Sequence, residues 1–301
     1  YRPSFLFYLV CTPCTPMFEK AHYSPRFSAS WEKTVSPGVR VLALDGGIRV
    51  NVAPANCTCL VENADRTQLE AVLERVSGET GVSLTAVYEG NTAKITAAGV
   101  QAHASTPDEG KNAITATLQA LCALPLAQGA AEKTVRQLHE IFPYGDNRGK
   151  ALGIAMEDAV SGCLTLTFSM VHLDSAGFWG VFDSRDPLCA TEENTCHVTE
   201  AKMAAFGWEC KGSLGPAHAV DGESDFIKVL LNAYETYTGR KGYCEAIGGG
   251  TYVHEIPGGV AFGAGEHDFD SHLHGANERA RISQLLKTAM IYALVISKLC
   301  A

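Results

Sequence analysis

Charge is scarce in this chain, and basic charge scarcest. Of 301 residues, 46% are hydrophobic and 19% charged, with 24 Lys and Arg against 33 Asp and Glu, for a formal net charge of -9. Phosphate binding wants a basic stripe, and its absence excludes a nucleic-acid partner. No apolar run approaches the roughly 18 to 20 residues that span a bilayer, so no membrane partner is expected. The 11 cysteines are odd in number and lie scattered through apolar segments, as with Cys122, Cys163, Cys244 and Cys300. That lacks the regular spacing of a disulfide framework, and a reducing cytoplasm is the expected compartment. One C-x-x-C joins Cys11 to Cys14, but no second pair or close histidine pair follows, so a zinc or redox role there rests on two residues. The opening YRPSFLFYLVC has an apolar run of signal-peptide length, yet it lacks an initiator Met and a small-x-small cleavage site. A fragment is the expectation.

The length suits two ordinary domains better than one large one. GGIRVNVAPANCTCLVE (46–62) alternates and is rich in β-branched residues, which predicts a strand with a turn at Ala53-Pro54. A helix follows, with Asp65 as N-cap, Leu69, Val72, Leu73 and Val76 on its inner face, and Gly78 or Gly81 as its stop. Two strand-like runs meeting at Gly90-Asn91 predict a hairpin. Then HASTPDEGKNAI (103–114) leads a histidine and an Asn112 cap into an apolar helix. Strand and helix segments recur between 151 and 212, suggesting two similar α+β halves that share a sheet. The Gly, Ser and Pro-rich stretch 211–225 is the candidate boundary. Beyond it come a helix, a short strand, the loop GGGTYVHEIPG, a strand at GVAFGAG, the polar run EHDFDSHLHGANE and a long last helix, an α/β order.

In the polar run, Asp268, Asp270, His272 and His274 share one parity and would project to one side of an extended segment, as zinc or manganese ligands do. Spacing within one loop does not create convergence, and taken alone the run reads first as a solvated acidic loop with incidental histidines.

GVQAHASTPDEGKNAI, GGIRVNVAP, FDSRDP, GGGTYVHEIPGGVAFGAG and HGANE, in the separations found here, resemble the di-zinc exopeptidase family of dipeptidases, carnosinases and acetylornithine deacetylases. The resemblance covers roughly residues 40–301 and is nearest to the dipeptidase V-like members. It implies an α/β zinc-exopeptidase-like catalytic domain, here partial, interrupted by an inserted two-lobed α+β lid. Residues 1–20 are then a remnant of the catalytic domain, 21–217 the lid, and 218–301 the C-terminal part of the catalytic domain. Such members are monomers, the second lobe taking the place of a dimer partner.

By the same resemblance His103 stabilises the tetrahedral oxyanion, Asn51 contacts substrate near the scissile group, and Arg185 grips the substrate's free carboxylate. Gly249, Gly250 and Thr251 bring backbone N–H groups to that carboxylate, and His274 is a metal ligand, which leaves His267, His272 and the aspartates as loop residues. Plainer roles stay open for the same residues: a helix-capping histidine, a strand-ending turn at Asn51, an Arg185 ion pair with Asp183 or Asp186, and a simple tight turn of glycines.

The family's first metal histidine, bridging aspartate and Glu-Glu pair have no counterpart ahead of the lid. TPCTPMFEK (12–20) resembles a family stretch, but Cys14 stands where a ligand aspartate is expected. In the intact family two zinc ions, or manganese, share a hydroxide while a glutamate carries its proton, and a small peptide is the substrate. This chain is not expected to hold both ions. The expected function is therefore metal-dependent dipeptide hydrolysis, with these 301 residues truncated and weakly active or inactive. The alternatives are a non-catalytic carboxylate-binding scaffold of the same fold and an N-acyl amino acid deacetylase. The apolar face of the last helix should lie uncovered.

Overall fold

The structure is a computed structural model and describes residues 15–31, 36–215, 217–247, 251, 253, 256–263, 269, 277 and 279–300. It divides into two compact units, a larger one of Ala21–Gly215 and a smaller one of Tyr1–Lys20 with Pro216–Ala301.

The chain runs through β1 (Thr15–Glu19), β2 (Ala21–Tyr23), β3 (Arg26–Ser30), β4 (Arg40–Gly46), β5 (Val52–Ala53), β6 (Asn56–Glu62), α1 (Arg66–Thr80), β7 (Ser83–Glu89), β8 (Thr92–Ala98) and β9 (Ala102–His103). It continues through α2 (Ala113–Cys122), α3 (Ala130–Ile141), β10 (Glu157–Asp158), β11 (Gly162–Cys163), β12 (Thr165–Leu173), β13 (Gly177–Asp186), α4 (His197–Phe206), β14 (Glu209–Lys211), β15 (His218–Ala219), α5 (Asp225–Thr238), β16 (Cys244–Ile247) and α6 (Ile282–Leu299).

The larger unit is built on one antiparallel sheet of nine strands in the order β14-β3-β13-β12-β4-β6-β8-β7, with β2 also paired to β13. Pro54 has no N–H for a ladder, so the predicted 46–62 strand is split into β5 and β6. The hairpin forms as expected, with Glu89 opposite Thr92 and Gly90 at φ 60°. The side chain of Asp65 accepts from the Gln68 N–H, and Gly81 ends α1 at φ 68°. Leu69, Val72, Leu73 and Val76 are buried against alternate residues of β6 and β8, among them Cys59, Val61 and Ile95. Past the β4–β12 pairing, the core is aromatic: Phe142 stacks on Phe168 at 4.5 Å between ring centroids, and Phe178 meets Trp208 edge-on at 4.7 Å.

In the smaller unit β1 lies between β15, antiparallel, and β16, parallel. Ile227, Leu230, Ala233 and Tyr234 of α5 are buried with Ile291 and Val295 of α6 and with Val260 and Phe262. Of the predicted strand at 259–265, residues 259–263 are described; Phe262 makes a β-bridge there, and Val260, Ala261 and Phe262 are buried. On α6, Ile282, Leu285, Leu286, Met290 and Ile296 are exposed. This helix is by length and composition long and apolar enough to cross a membrane, which corrects the expectation that no run approaches that length.

Candidate functional site

The His103 loop is closed at its base by reciprocal backbone hydrogen bonds between Val100 and Lys111, at 3.1 and 2.8 Å. A Cβ at Gly99 would overlap the Lys111 carbonyl oxygen, so this close approach requires glycine. Asn112 then starts α2: its side-chain oxygen accepts from Ile114 and Thr115 N–H, and its amide nitrogen donates to the Phe168 carbonyl at 2.8 Å. Helix capping thus falls to Asn112, and His103 is exposed outside the cap. The Ser105 N–H donates to His103 Nδ1 at 3.2 Å, and the Ser105 hydroxyl lies 2.7 Å from the same nitrogen. A neutral imidazole whose Nδ1 accepts carries its proton on Nε2, which makes Nε2 the donor.

β5 pairs with β9, setting Val52 opposite His103, and the Ala104 N–H donates to the Asn51 carbonyl at 3.0 Å. Asn51, exposed at a turn, is thereby brought beside His103. From Ala104 the connection runs on to β12, because the Thr165 hydroxyl donates to the Ala104 carbonyl at 3.1 Å, and Thr165 lies opposite Arg185 of β13. Two strand pairs, β5–β9 and β12–β13, joined by the Thr165–Ala104 hydrogen bond, thus connect the three predicted residues of the larger unit.

Arg185 is buried and donates from Nε to Asp183 Oδ1 at 2.7 Å and from Nη2 to Oδ2 at 3.2 Å. Of the two acidic neighbours weighed from sequence, the partner is Asp183; Asp186 accepts from the Ser184 hydroxyl. Asp183 is fully buried and also meets His22 Nε2 at 2.7 Å, with the Ser24 hydroxyl 2.6 Å from that same nitrogen. Serine and aspartate thus share one ring nitrogen, whereas a nucleophilic relay needs them on opposite nitrogens. The group orients Arg185. His22, Ser24 and Thr165 escaped sequence reasoning, since no local motif marks them, and Ser105, inside the HASTPDEGKNAI stretch, was given no role there.

In the smaller unit the Thr251 N–H donates to Glu19 at 3.0 Å, and its hydroxyl also donates to that carboxylate. Gly249, Gly250, His274 and the alternative ligands His267, Asp268, Asp270 and His272 lie outside the described residues, as do Cys11 and Cys14. Among the described residues no group of three or more His, Cys, Asp or Glu could hold a metal ion. Burial pushes the Cys57 thiol up to about 12 and the Cys122 thiol to about 11, so both stay protonated and packed.

Residues 88–172 match the peptidase dimerisation domain. The Beta-Ala-Xaa dipeptidase of Lactobacillus delbrueckii subsp. lactis is 28% identical over 254 residues, which cover 84% of this chain and 54% of that protein. The solved aminoacylhistidine dipeptidase from Vibrio alginolyticus aligns with a TM-score of 0.50 at 14% identity, covering 99% of this chain and 67% of that one. The α/β fold and the matched domain resemble those of peptidases that carry a dimerisation domain. The matched domain is the one found in M20 peptidases, and the curated relatives that the chain resembles are named dipeptidases. The chain spans about half the length of the curated relatives it matches.

Proposed function

We propose that this chain is the substrate-gripping part of a metal-dependent dipeptidase. His103 Nε2–H faces the oxyanion of the scissile amide, Asn51 contacts substrate beside it, and Arg185 takes the free C-terminal carboxylate. The observation that carries this reading is the engagement of His103 Nδ1 by the Ser105 N–H, which leaves Nε2 as donor. A donor aimed at developing negative charge contributes on the order of 3 kcal/mol. Asp183 holds the Nε edge of the Arg185 guanidinium, and a planar guanidinium is the side chain that suits a two-oxygen acceptor. The family resemblance gives the Gly249-Gly250-Thr251 loop a part in holding that carboxylate. A dipeptide of the β-Ala-Xaa type, carnosine among them, is the preferred substrate class, by likeness to the Lactobacillus relative.

A hydrolytic two-metal centre needs about four to six protein ligands and a base. The family resemblance supplies one such ligand in this sequence, His274, and the chain is on that ground not expected to hold two zinc or manganese ions. Hydrolysis by the 301 residues alone is expected to be weak or absent, with substrate grip retained. The missing ligands favour a second reading, a non-catalytic carboxylate-binding scaffold; an N-acyl amino acid deacetylase acts on the same amide beside a carboxylate. The described cysteines are all free, which supports a cytoplasmic protein. A match to a dimerisation domain gives the monomer expectation no support, and sedimentation of the purified chain decides that point.

The test is titration calorimetry and hydrolysis with dipeptides, carnosine and N-acetyl amino acids, with added zinc or manganese, for wild type and His103→Ala. Turnover of dipeptides that disappears in His103→Ala supports the enzyme. Binding without turnover supports the scaffold, preferential cleavage of N-acetyl amino acids the deacetylase. Neither binding nor turnover by the folded chain sinks all three.

A further inference from the structure

We propose that Asp108, Asn147 and Arg148 are positioning residues for His103, closing a ring of hydrogen bonds that sets the histidine's turn against β12. The inference rests on the reading of His103 as the oxyanion donor and names the residues that hold it in place.

The turn that carries His103 is stiff in itself. The Thr106 N–H donates to the His103 carbonyl at 2.9 Å, and the Glu109 and Gly110 N–H groups donate to the Thr106 and Pro107 carbonyls, each at 3.1 Å. Pro107–Glu109 is one turn of 3-10 helix, and Asp108 stands on it. Two side chains from far along the sequence meet its carboxylate: Asn147 Nδ2 donates to Oδ1 at 2.8 Å and Arg148 Nη2 to Oδ2 at 2.5 Å. Holding each oxygen by a different donor fixes the plane of the carboxylate as well as its position.

The two donors are themselves fastened. The Asp146 carboxylate accepts the Arg148, Lys150 and Ala151 N–H groups at 3.2, 3.1 and 2.8 Å, which folds 146–151 into a tight turn. Arg148 Nη1 donates to the Asn147 carbonyl at 3.0 Å, and the same carbonyl accepts the Leu166 N–H of β12 at 2.9 Å. Thr165, the residue before Leu166, holds the Ala104 carbonyl beside His103. Adjacent residues of β12 therefore fasten both ends of one circuit, which runs from Ala104 through Thr165, Leu166, Asn147 and Asp108 and returns along the 3-10 turn. Thr165 lies opposite Arg185, so the circuit ties the proposed oxyanion donor to the strand pair that presents the proposed carboxylate ligand. The Asp108 and Arg148 side chains are 59% and 32% exposed, so their pairing adds little to global stability and its effect is local.

The test uses the full chain with Arg148→Ala, Arg148→Lys and Asp108→Ala, read by amide exchange, by the His103 ring nitrogen shifts and by calorimetric binding of carnosine. Arg148→Ala and Asp108→Ala should each speed exchange of the Thr106, Glu109 and Gly110 amides about three- to tenfold, leave the α1 amides unchanged, and move His103 from the Nε2–H tautomer toward a mixture. Carnosine binding should weaken about threefold, and Arg148→Ala with His103→Ala should bind no worse than His103→Ala alone, because a residue that acts through the ring adds nothing once the ring is gone. Arg148→Lys keeps a cation within reach of Asp108 and should retain most of the protection. Unchanged exchange at these amides overturns the circuit, as does exchange raised equally across α1. A released turn with unmoved His103 shifts, or with additive losses of carnosine affinity, overturns the positioning role. If wild type binds no carnosine, or His103→Ala binds it unchanged, the functional reading has failed separately, and exchange with the ring shifts decides the positioning.

Discussion

α1 turns Leu69, Val72, Leu73 and Val76 into the nine-stranded sheet and leaves Glu70, Arg75 and Glu79 outside, whereas α6 buries Gln284, Thr288, Ile291 and Val295 and leaves Leu285, Leu286 and Met290 exposed. Both helices are amphipathic in sequence, but among the described residues the apolar face of α1 is covered and much of that of α6 is not. Helical periodicity reports that a face exists; the amount of neighbouring structure decides whether it is covered.

The largest effect that tests this comparison is in the aromatic core. Phe168 is buried and stacks on Phe142 and Phe27, so Phe168→Ala should cost the larger unit about 3 to 5 kcal/mol in urea unfolding. A cost near 1 kcal/mol would mean that the larger unit is no better packed than the smaller. Next in size is the Arg185 group. Arg185→Ala strands the fully buried Asp183 with His22, half of whose side chain is exposed, and should cost about 3 kcal/mol at pH 7. Arg185→Lys keeps the charge without the fork and should lose less stability while still weakening dipeptide binding. Full binding in that variant would remove Arg185 from the carboxylate grip.

On α6 the expectation reverses. Leu286→Lys and Met290→Lys replace exposed apolar side chains, 62% and 45% accessible, and should change stability by no more than about 0.5 kcal/mol while raising solubility. A loss comparable to that of Phe168→Ala would show this face to be covered and would break the contrast between the units.

The local signals were legible where chemistry and pairing are close in sequence. Asp65 and Gly81 bound α1, Ser224 and Gly239 bound α5, and Gly90 turns the hairpin as its residue type requires. α3 carried no such signal, because its N-cap is Gly129 with no side-chain hydrogen bond. β2 and β3 are short and pair with β13, more than a hundred residues away, so nothing near them announces a strand. At the site, alternation along β13 could have chosen Asp183 over Asp186 for Arg185, since residues two apart share a strand face. The meeting of Asn51 with His103 depends on the β5–β9 pairing, and the hold of Glu19 on Thr251 spans most of the chain; both are set by tertiary pairing that no local spacing encodes.

The smallest effect concerns a polar group on the larger unit's surface. His172 Nδ1 lies 2.6 Å from Asp45 and Nε2 3.5 Å from Asp174, and the hydrogen bond to Asp45 raises its pKa above the ordinary histidine value. A raised folded-state pKa means that folding favours the protonated form, so this contribution is complete below the unfolded value of about 6.5 and fades as pH rises through the higher folded value. The ring is more than a third exposed, so solvent screening keeps the effect small, a degree or two in Tm. His172→Gln removes the titration and keeps a polar side chain. Wild type should therefore melt above this variant near pH 5.5 to 6, with the gap closing toward pH 8.5. A gap that widened with pH would reverse the sign and show that His172 is held neutral, with the two aspartates bonded elsewhere.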